Sequence, residues 1–263
     1  GPPTRRGSAA VSGSLTVVGL GPGDAGLLTD SARRALDAAE DLVGYFPYVA
    51  RVPERPGLVR HASDNRVEVD RARHALQLAA SGRRVAVVSG GDPGVFAMAS
   101  AVFEAVEHGE PAWRDLAITV EPGITAMLAA AARLGAPLGG DFCALSLSDN
   151  LKPWPVVTAR LQAVLRAALV IALYNPNSTA RPWQLGAALD LAAGIRAPET
   201  PVMFARAISR PDEAIRVSTL AEAGEVPADM ATMVILGAST TRLIPRTDGV
   251  PFVYTSRKVA GPA

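Results

Sequence analysis

The sequence predicts an α/β fold built as two α/β domains. Short apolar runs of strand length alternate with longer runs of helical spacing through most of its 263 residues. Three of those runs end in glycine-rich turns, at Gly19 to Asp24, Ser89 to Val95 and Pro122 to Ala126. A fresh alternation begins after Leu134-Gly135-Ala136-Pro137-Leu138-Gly139-Gly140, which reads as a linker. The expected domains are therefore 14–138 and 141–245, with 1–13, rich in Gly, Pro, Ser and Arg, as a flexible tail.

Taken in order, Ser14 to Val18 reads as a buried strand and Leu27 to Ala39 as a helix opened by Thr29-Asp30. The turn between them is neither a dinucleotide fingerprint, because Asp24 stands where a glycine is needed, nor a phosphate loop with its Gly-Lys-Ser/Thr ending. Asp41 to Tyr45 is a short strand leading into the aromatic turn Tyr45-Phe46-Pro47-Tyr48, and 51–65 reads as loop. Arg66 to Ala80 is a polar helix in which Glu68 and Arg71 lie three apart on one face.

Val85 to Val88 is a continuous apolar strand feeding Ser89-Gly90-Gly91-Asp92-Pro93-Gly94-Val95, with a helix from Phe96 to Glu107 beyond it. Without a Cβ at Gly90 and Gly91, a planar group can lie against the main chain, and Asp92 stands where open α/β sheets place ligands. Leu116 to Val120 is a strand and Thr125 to Leu134 an alanine-rich helix. In the second half, strands are expected at Phe142 to Leu147, Leu169 to Tyr174, Pro201 to Ala207 and Ala214 to Leu220, the last alternating as a half-exposed antiparallel strand does. Helices are expected at Val156 to Ala167 and, opened by Pro182, at Arg181 to Ala193; Met233 to Leu236 closes the sheet. Little periodicity follows Thr240.

Composition removes several function classes. The apolar fraction of 49% supplies sizeable cores, and a net charge of +1 gives no general basic field for nucleic acid. Lys152 and Lys258 are the only lysines, every other cationic side chain of that kind being arginine. A single cysteine, Cys143, excludes an internal disulfide and a Cys-ligated cluster, and His61, His74 and His108 are scattered, so no metal site is expected. No apolar run reaches membrane-spanning length and no signal-peptide pattern occurs, so the expectation is no membrane and a cytoplasmic location.

The ordered set Val18-Gly19-Leu20-Gly21-Pro22-Gly23-Asp24 with Leu27-Leu28-Thr29, then Gly90-Gly91-Asp92-Pro93, then Pro122-Gly123-Ile124-Thr125-Ala126 resembles the tetrapyrrole-type S-adenosylmethionine methyltransferases. The likeness runs from Ser14 to Gly237. Within that family, four further segments resemble its ring-contracting corrin branch: Val43-Gly44-Tyr45 with Tyr48-Val49, Ser63-Asp64-Asn65 with Glu68 and Arg71, Leu145 to Trp154, and Leu173 to Ser178. The resemblance implies a tetrapyrrole methylase fold with an active-site cleft between its domains. It also implies S-adenosylmethionine as cofactor, S-adenosylhomocysteine as product, a homodimer, and methylation of precorrin-3B at C17 with ring contraction to precorrin-4. Alternatives are a precorrin-4, uroporphyrinogen-III or ribosomal RNA acceptor, or a non-catalytic S-adenosylmethionine or tetrapyrrole binding protein.

Residue by residue, the resemblance assigns the cofactor to Pro22, Gly90, Gly91, Asp92, Val95, Thr125, Ala126, Asn175 with Tyr174 as its alternative, Ala207 and Thr232. Ring contraction requires an acid–base group. Asp149, with Asn150 orienting it, reads either as that group or as an Asx-turn or helix cap before Pro153. Tyr45 reads as a donor to the substrate or as packing, and Trp154 as a macrocycle contact or a core residue. Ser146 joins the substrate side. Glu68 and Arg71 read as rim contacts or a solvated ion pair, with Arg71 and Arg206 as candidates for substrate carboxylates.

Overall fold

The structure, a computed structural model, describes residues 13–64 and 67–261. The expected tail residues 1–12, together with Asn65 and Arg66, lie outside the described residues. Gly13, assigned to that tail, is instead fixed: its N–H donates to the Ala79 carbonyl at 2.9 Å, and a Cβ there would meet Arg83 backbone. Contacts divide the chain into two compact units after Thr125.

The first unit begins with β1 (Ser14–Gly19), α1 (Asp30–Ala38), β2 (Asp41–Tyr45), the short α2 (Phe46–Val49) and β3 (Val59–Ser63). It continues with α3 (Glu68–Ala80), β4 (Arg84–Ser89), α4 (Met98–His108) and β5 (Ala117–Glu121). All five strands are parallel, in the order β3-β2-β4-β1-β5. Because β4 is central, both its faces are covered. Val85 and Val87 join α3 and α4 in one core, while Ala86 and Val88 join α1 in the other. That two-sided burial is why 85–88 reads as an unbroken apolar run. Thr29 caps α1 as expected, its hydroxyl accepting from Ala32 N–H at 3.1 Å. The expected loop 51–65 contains β3, a partly exposed edge strand carrying Arg60, His61 and Ser63 rather than an apolar run.

The second unit contains α5 (Ala126–Leu134), β6 (Gly135–Ala136), β7 (Phe142–Ser146), α6 (Trp154–Arg166), β8 (Val170–Tyr174) and α7 (Gln184–Ala193). Then come β9 (Pro201–Arg206), β10 (Ala214–Thr219), β11 (Thr232–Leu236), β12 (Thr241–Ile244) and β13 (Phe252–Thr255). A mixed sheet runs β10-β9-β11-β8-β7, with β7 and β8 parallel and the other pairs antiparallel. As expected, β10 is a half-exposed antiparallel strand. The 233–236 segment does not close the sheet; it enters the middle, between β9 and β8. α7 begins at Gln184 rather than Arg181, because Ser178 and Arg181 exchange backbone bonds in a turn that precedes it.

The 134–140 segment is not a linker. Gly135 and Ala136 pair with Val253 and Tyr254 in a third sheet, β12-β13-β6. At Gly135, φ is +131° and a Cβ would stand 2.8 Å from the Val253 carbonyl oxygen, so glycine there permits strand contact. The quiet region after Thr240 supplies the other two strands, tied by a 2.9 Å Thr241–Thr255 hydroxyl bond.

Candidate functional site

In the first unit, parallel register puts Gly19 beside Ser89 and Val18 beside Glu121, so all three glycine turns leave from adjacent carboxyl ends. They touch one another. Gly21 and Gly91 exchange backbone hydrogen bonds at 3.1 and 2.9 Å, both with left-handed φ, +69° and +63°. A Cβ on Gly123 would lie 2.2 Å from the Gly91 carbonyl oxygen, and one on Gly19 would lie 2.7 Å from Gly123 N. These glycines therefore serve loop-to-loop packing. The Asp92 carboxylate binds the loops together, accepting from Gly94 N–H at 2.9 Å and Gly123 N–H at 3.0 Å. Arg51 adds a clamp from outside, donating to the Leu20 and Gly21 carbonyls at 3.0 Å each.

The planar group against Gly90 is the protein's own. A Cβ at that position would meet the Tyr48 ring at 2.7 Å. Tyr45 packs edge-on to Tyr48, centroids 5.5 Å apart, at the carboxyl end of β2. Pro22 and Val95 are partly exposed within their loops, and Thr125 is buried. The solvated Glu68–Arg71 pair is not found. Arg71 is 4% exposed and donates to Ser63 Oγ at 2.9 Å, to Met98 Sδ at 3.5 Å and to the Asp64 carbonyl. Burial lowers its pKa, against the charges of Glu68, Asp64, Tyr45 and Tyr48. Engaged in this way, Arg71 ties the end of β3 to the first residue of α4 and is not a rim contact.

In the second unit, register gathers the assigned residues at one sheet end. Ser146 pairs with Tyr174 on the parallel strands, and Thr232 pairs with Arg206 on the antiparallel ones. Asn175 follows Tyr174 with φ +52° and donates through its amide to Ser146 Oγ at 2.9 Å. The Tyr174 hydroxyl accepts from Met127 N–H at 3.2 Å, in the first turn of α5, next to Ala126. Ala207 adopts φ +50° and donates its N–H to the Ala231 carbonyl at 2.9 Å, beside buried Thr232. Arg206 is not available for a substrate carboxylate: Asp212 and Asp229 hold its guanidinium at 2.7 and 3.0 Å. An open hollow of about 710 Å³ lies along the loops 177–182 and 224–231, with Asn177, Asp229 and Met230 on its wall.

Asp149 is neither an Asx-turn nor a helix cap. Its carboxylate is ion-paired with Arg181 and accepts from Gln184 at 3.0 Å, which fastens the loop after β7 to the start of α7. Asn150 is exposed, and Trp154 packs against the α6–α7 core and edge-on to Trp183. Lys152 is partly buried and donates to the Ser148 carbonyl; burial, then Arg160, lowers its pKa. Sequence reading missed Tyr48, Arg51 and Asn177, whose side-chain oxygen accepts from Leu185 N–H at 3.1 Å in the first turn of α7. Tyr48 carried a signal as part of an aromatic turn at a strand end, and Asn177 as part of the resembling segment Leu173 to Ser178; Arg51 carried none.

Among the described residues, no helix is long and apolar enough to cross a membrane. Residues 14–224 match the family described as Tetrapyrrole (Corrin/Porphyrin) Methylases. A precorrin-3B C(17)-methyltransferase from Sinorhizobium sp is 55% identical over 95% of this chain and 99% of its own length. A probable cobalt-factor III C(17)-methyltransferase from Salmonella typhimurium is 40% identical over 86% of this chain and 93% of its own. A crystal structure of the methyltransferase CobJ superposes with a TM-score of 0.89 at 51% identity, covering 93% of this chain and all of that one. A uroporphyrin-III C-methyltransferase from Thermus thermophilus, solved with S-adenosylhomocysteine, superposes at 0.65 with 27% identity, covering 86% of this chain and 97% of that one. The chain belongs to the tetrapyrrole methylase family.

Proposed function

We infer that this chain is an S-adenosylmethionine-dependent C-methyltransferase that methylates precorrin-3B at C17, contracting the ring to precorrin-4, in cobalamin biosynthesis. The observation that carries this reading is the end-to-end 55% identity with a relative of that name. The cofactor assignment rests on the family and on the chemistry of the strand-end loops. Asp92, a carboxylate held between two backbone N–H groups, suits the ammonium of an amino-acid ligand, and Gly90, Gly91, Val95, Pro22 and Thr125 belong to the three interlocked strand-end loops that it joins or adjoins. From the second unit, Ala126, Tyr174, Asn175, Ala207 and Thr232 are assigned to the same ligand by resemblance, and their clustering at one sheet end supports that assignment.

When bound, S-adenosylmethionine supplies an electrophilic methyl group. The chain's own work is positioning and water exclusion, which suits an electron-rich carbon that needs no strong base. Tyr45 is assigned a proton-donating role at the carboxyl edge of the first sheet. Asp149 acts through Arg181 and Gln184 to hold the loop that carries Asn150 and Trp154, with Ser146 at its root. We further place the protein in the cytoplasm as a homodimer acting on a small molecule, readings that follow from the resemblance and the near-neutral charge. Sedimentation reads the mass.

The test is incubation with methyl-labelled S-adenosylmethionine and, in separate reactions, precorrin-3B, precorrin-4 and cobalt-factor III. Label in a contracted product from precorrin-3B is expected. Transfer only to cobalt-factor III would favour the cobalt-bearing reading suggested by the Salmonella relative. S-adenosylhomocysteine binding with no transfer to any acceptor would leave a binding protein.

A further inference from the structure

The loop after β9 is strained and heavily tied. Ala207 and Ser209 have φ of +50° and +66°, in the left-handed region that side chains disfavour. Such a conformation persists only where surrounding bonds hold it. The far side of the loop has its own anchor, because the Glu213 carboxylate accepts from Ser209 N–H at 2.7 Å and from Arg133 at 3.0 Å. The near side, which carries Ala207, has Arg206. That side chain ends β9 and joins two loops through one guanidinium. It donates to Asp212, in the β9–β10 loop, at 2.7 Å and to Asp229, in the loop before β11, at 3.0 Å.

The other oxygen of Asp229 accepts from Ala231 N–H and from the Thr232 hydroxyl, each at 3.0 Å, and Ala207 N–H donates to the Ala231 carbonyl at 2.9 Å. Arg206 therefore stands next to Ala207 in sequence, opposite Thr232 in register, and one carboxylate away from the Thr232 hydroxyl. Exposure decides what this clamp does. The Arg206, Asp212 and Asp229 side chains are 39%, 62% and 53% exposed, and ion pairs of that kind add little to global stability. β9 and β11 are held instead by their ladder and by the buried Val202, Phe204, Val234 and Leu236. The guanidinium fixes the loops beyond the ladder, where Ala207 and Thr232 are assigned to the cofactor.

We propose that Arg206 is a positioning residue for cofactor binding: it locks the β9–β10 loop to the turn before β11 and so sets Ala207 and Thr232 at the spacing that S-adenosylmethionine requires. This rests on the assignment of that ligand to Ala207 and Thr232. The test measures S-adenosylhomocysteine affinity of the full chain by calorimetry, at low and at high salt, together with the thermal midpoint of each protein. The variants are Arg206→Ala, Arg206→Lys and, as an exposed arginine on β10 outside the clamp, Arg216→Ala.

R206A should weaken S-adenosylhomocysteine by about tenfold while its thermal midpoint stays within about 3 °C of the parent's. R206K, with a point charge in place of the planar fork, should recover part of the affinity, and R216A should match the parent throughout. Added salt should weaken binding by the parent more steeply than by R206A, because screening acts on a clamp that only the parent has. Parent-like affinity in R206A, or a salt response equal to the parent's, would overturn the proposal while leaving the methyltransferase reading intact. A fall in midpoint well beyond that range would also overturn it, showing that Arg206 holds the sheet rather than the two loops. A parent that binds no S-adenosylhomocysteine would overturn the cofactor assignment and this inference with it.

Discussion

An alanine at position 123 would place its Cβ 2.2 Å from the Gly91 carbonyl oxygen, which is backbone and cannot swing away. G123A should therefore push apart the turns after β4 and β5, costing about 2 kcal/mol in stability. It should also break the Asp92–Gly123 bond, weakening S-adenosylhomocysteine by more than tenfold, an effect worth about 1.4 kcal/mol or more. Thermal unfolding and calorimetry on the purified variant read the two effects, and parent-like values in both would refute the interlocked turns. The glycines themselves were legible in the sequence, because a tight turn at a strand end demands them. Their purpose was not. Glycine allows close approach, but only the fold shows that the approaching group is another turn, or the Tyr48 ring over Gly90. Likewise Asp149 and Arg206 stood out as charges near strand ends, yet a sequence does not reveal that Arg181, Asp212 and Asp229 already neutralise them.

Elements were readable where burial imposes a period and unreadable where it does not. The two-sided burial of β4 writes four apolar residues in a row; edge strand β3 and the short β12, β13 and β6 write almost nothing. Such segments are held by partners distant in sequence. A different junction depends on Arg196, which donates to the Leu165, Leu169 and Gly237 carbonyls and so joins the end of α6, the entry to β8 and the exit of β11. Desolvation brings its pKa down to about 10. Replacement by alanine would leave several carbonyls without a donor, costing about 3 kcal/mol; lysine would restore charge without the planar fork and recover only part. Urea midpoints for R196A and R196K should fall in that order, with α6 amides exchanging fastest in R196A. An unchanged midpoint for R196A would mean the junction is held by apolar packing alone.

For the molecule as a whole, the alternation of strands and helices and the division into two halves were present in the sequence, whereas the boundary after Thr125 and the central place of β11 were not. A final strand can enter anywhere in a sheet, and local pattern is blind to that choice. Global stability carries its own signature through Asp41, buried at the start of β2 and bonded to His61 at 2.9 Å and Arg83 at 2.7 Å. Burial acts to raise its pKa, but the His61 and Arg83 hydrogen bonds outweigh it and the net direction is downward. A carboxylate with a depressed folded pKa stabilises fully above the unfolded value of about 3.9 and loses that contribution as pH falls through the folded one. The urea midpoint should therefore drop below about pH 4, and Asp41→Asn should lower stability at pH 7 while flattening the acid limb. An Asn variant with the parent's acid limb would remove Asp41 from that role.

The catalytic assignment is the broadest statement about the molecule, and one spectrum decides it most directly. Precorrin-3B is incubated with S-adenosylmethionine bearing a 13C methyl group, and the product is read by carbon NMR and mass. The account predicts a single labelled methyl on C17 of a contracted macrocycle; a label on any other carbon, or an uncontracted ring, would contradict it.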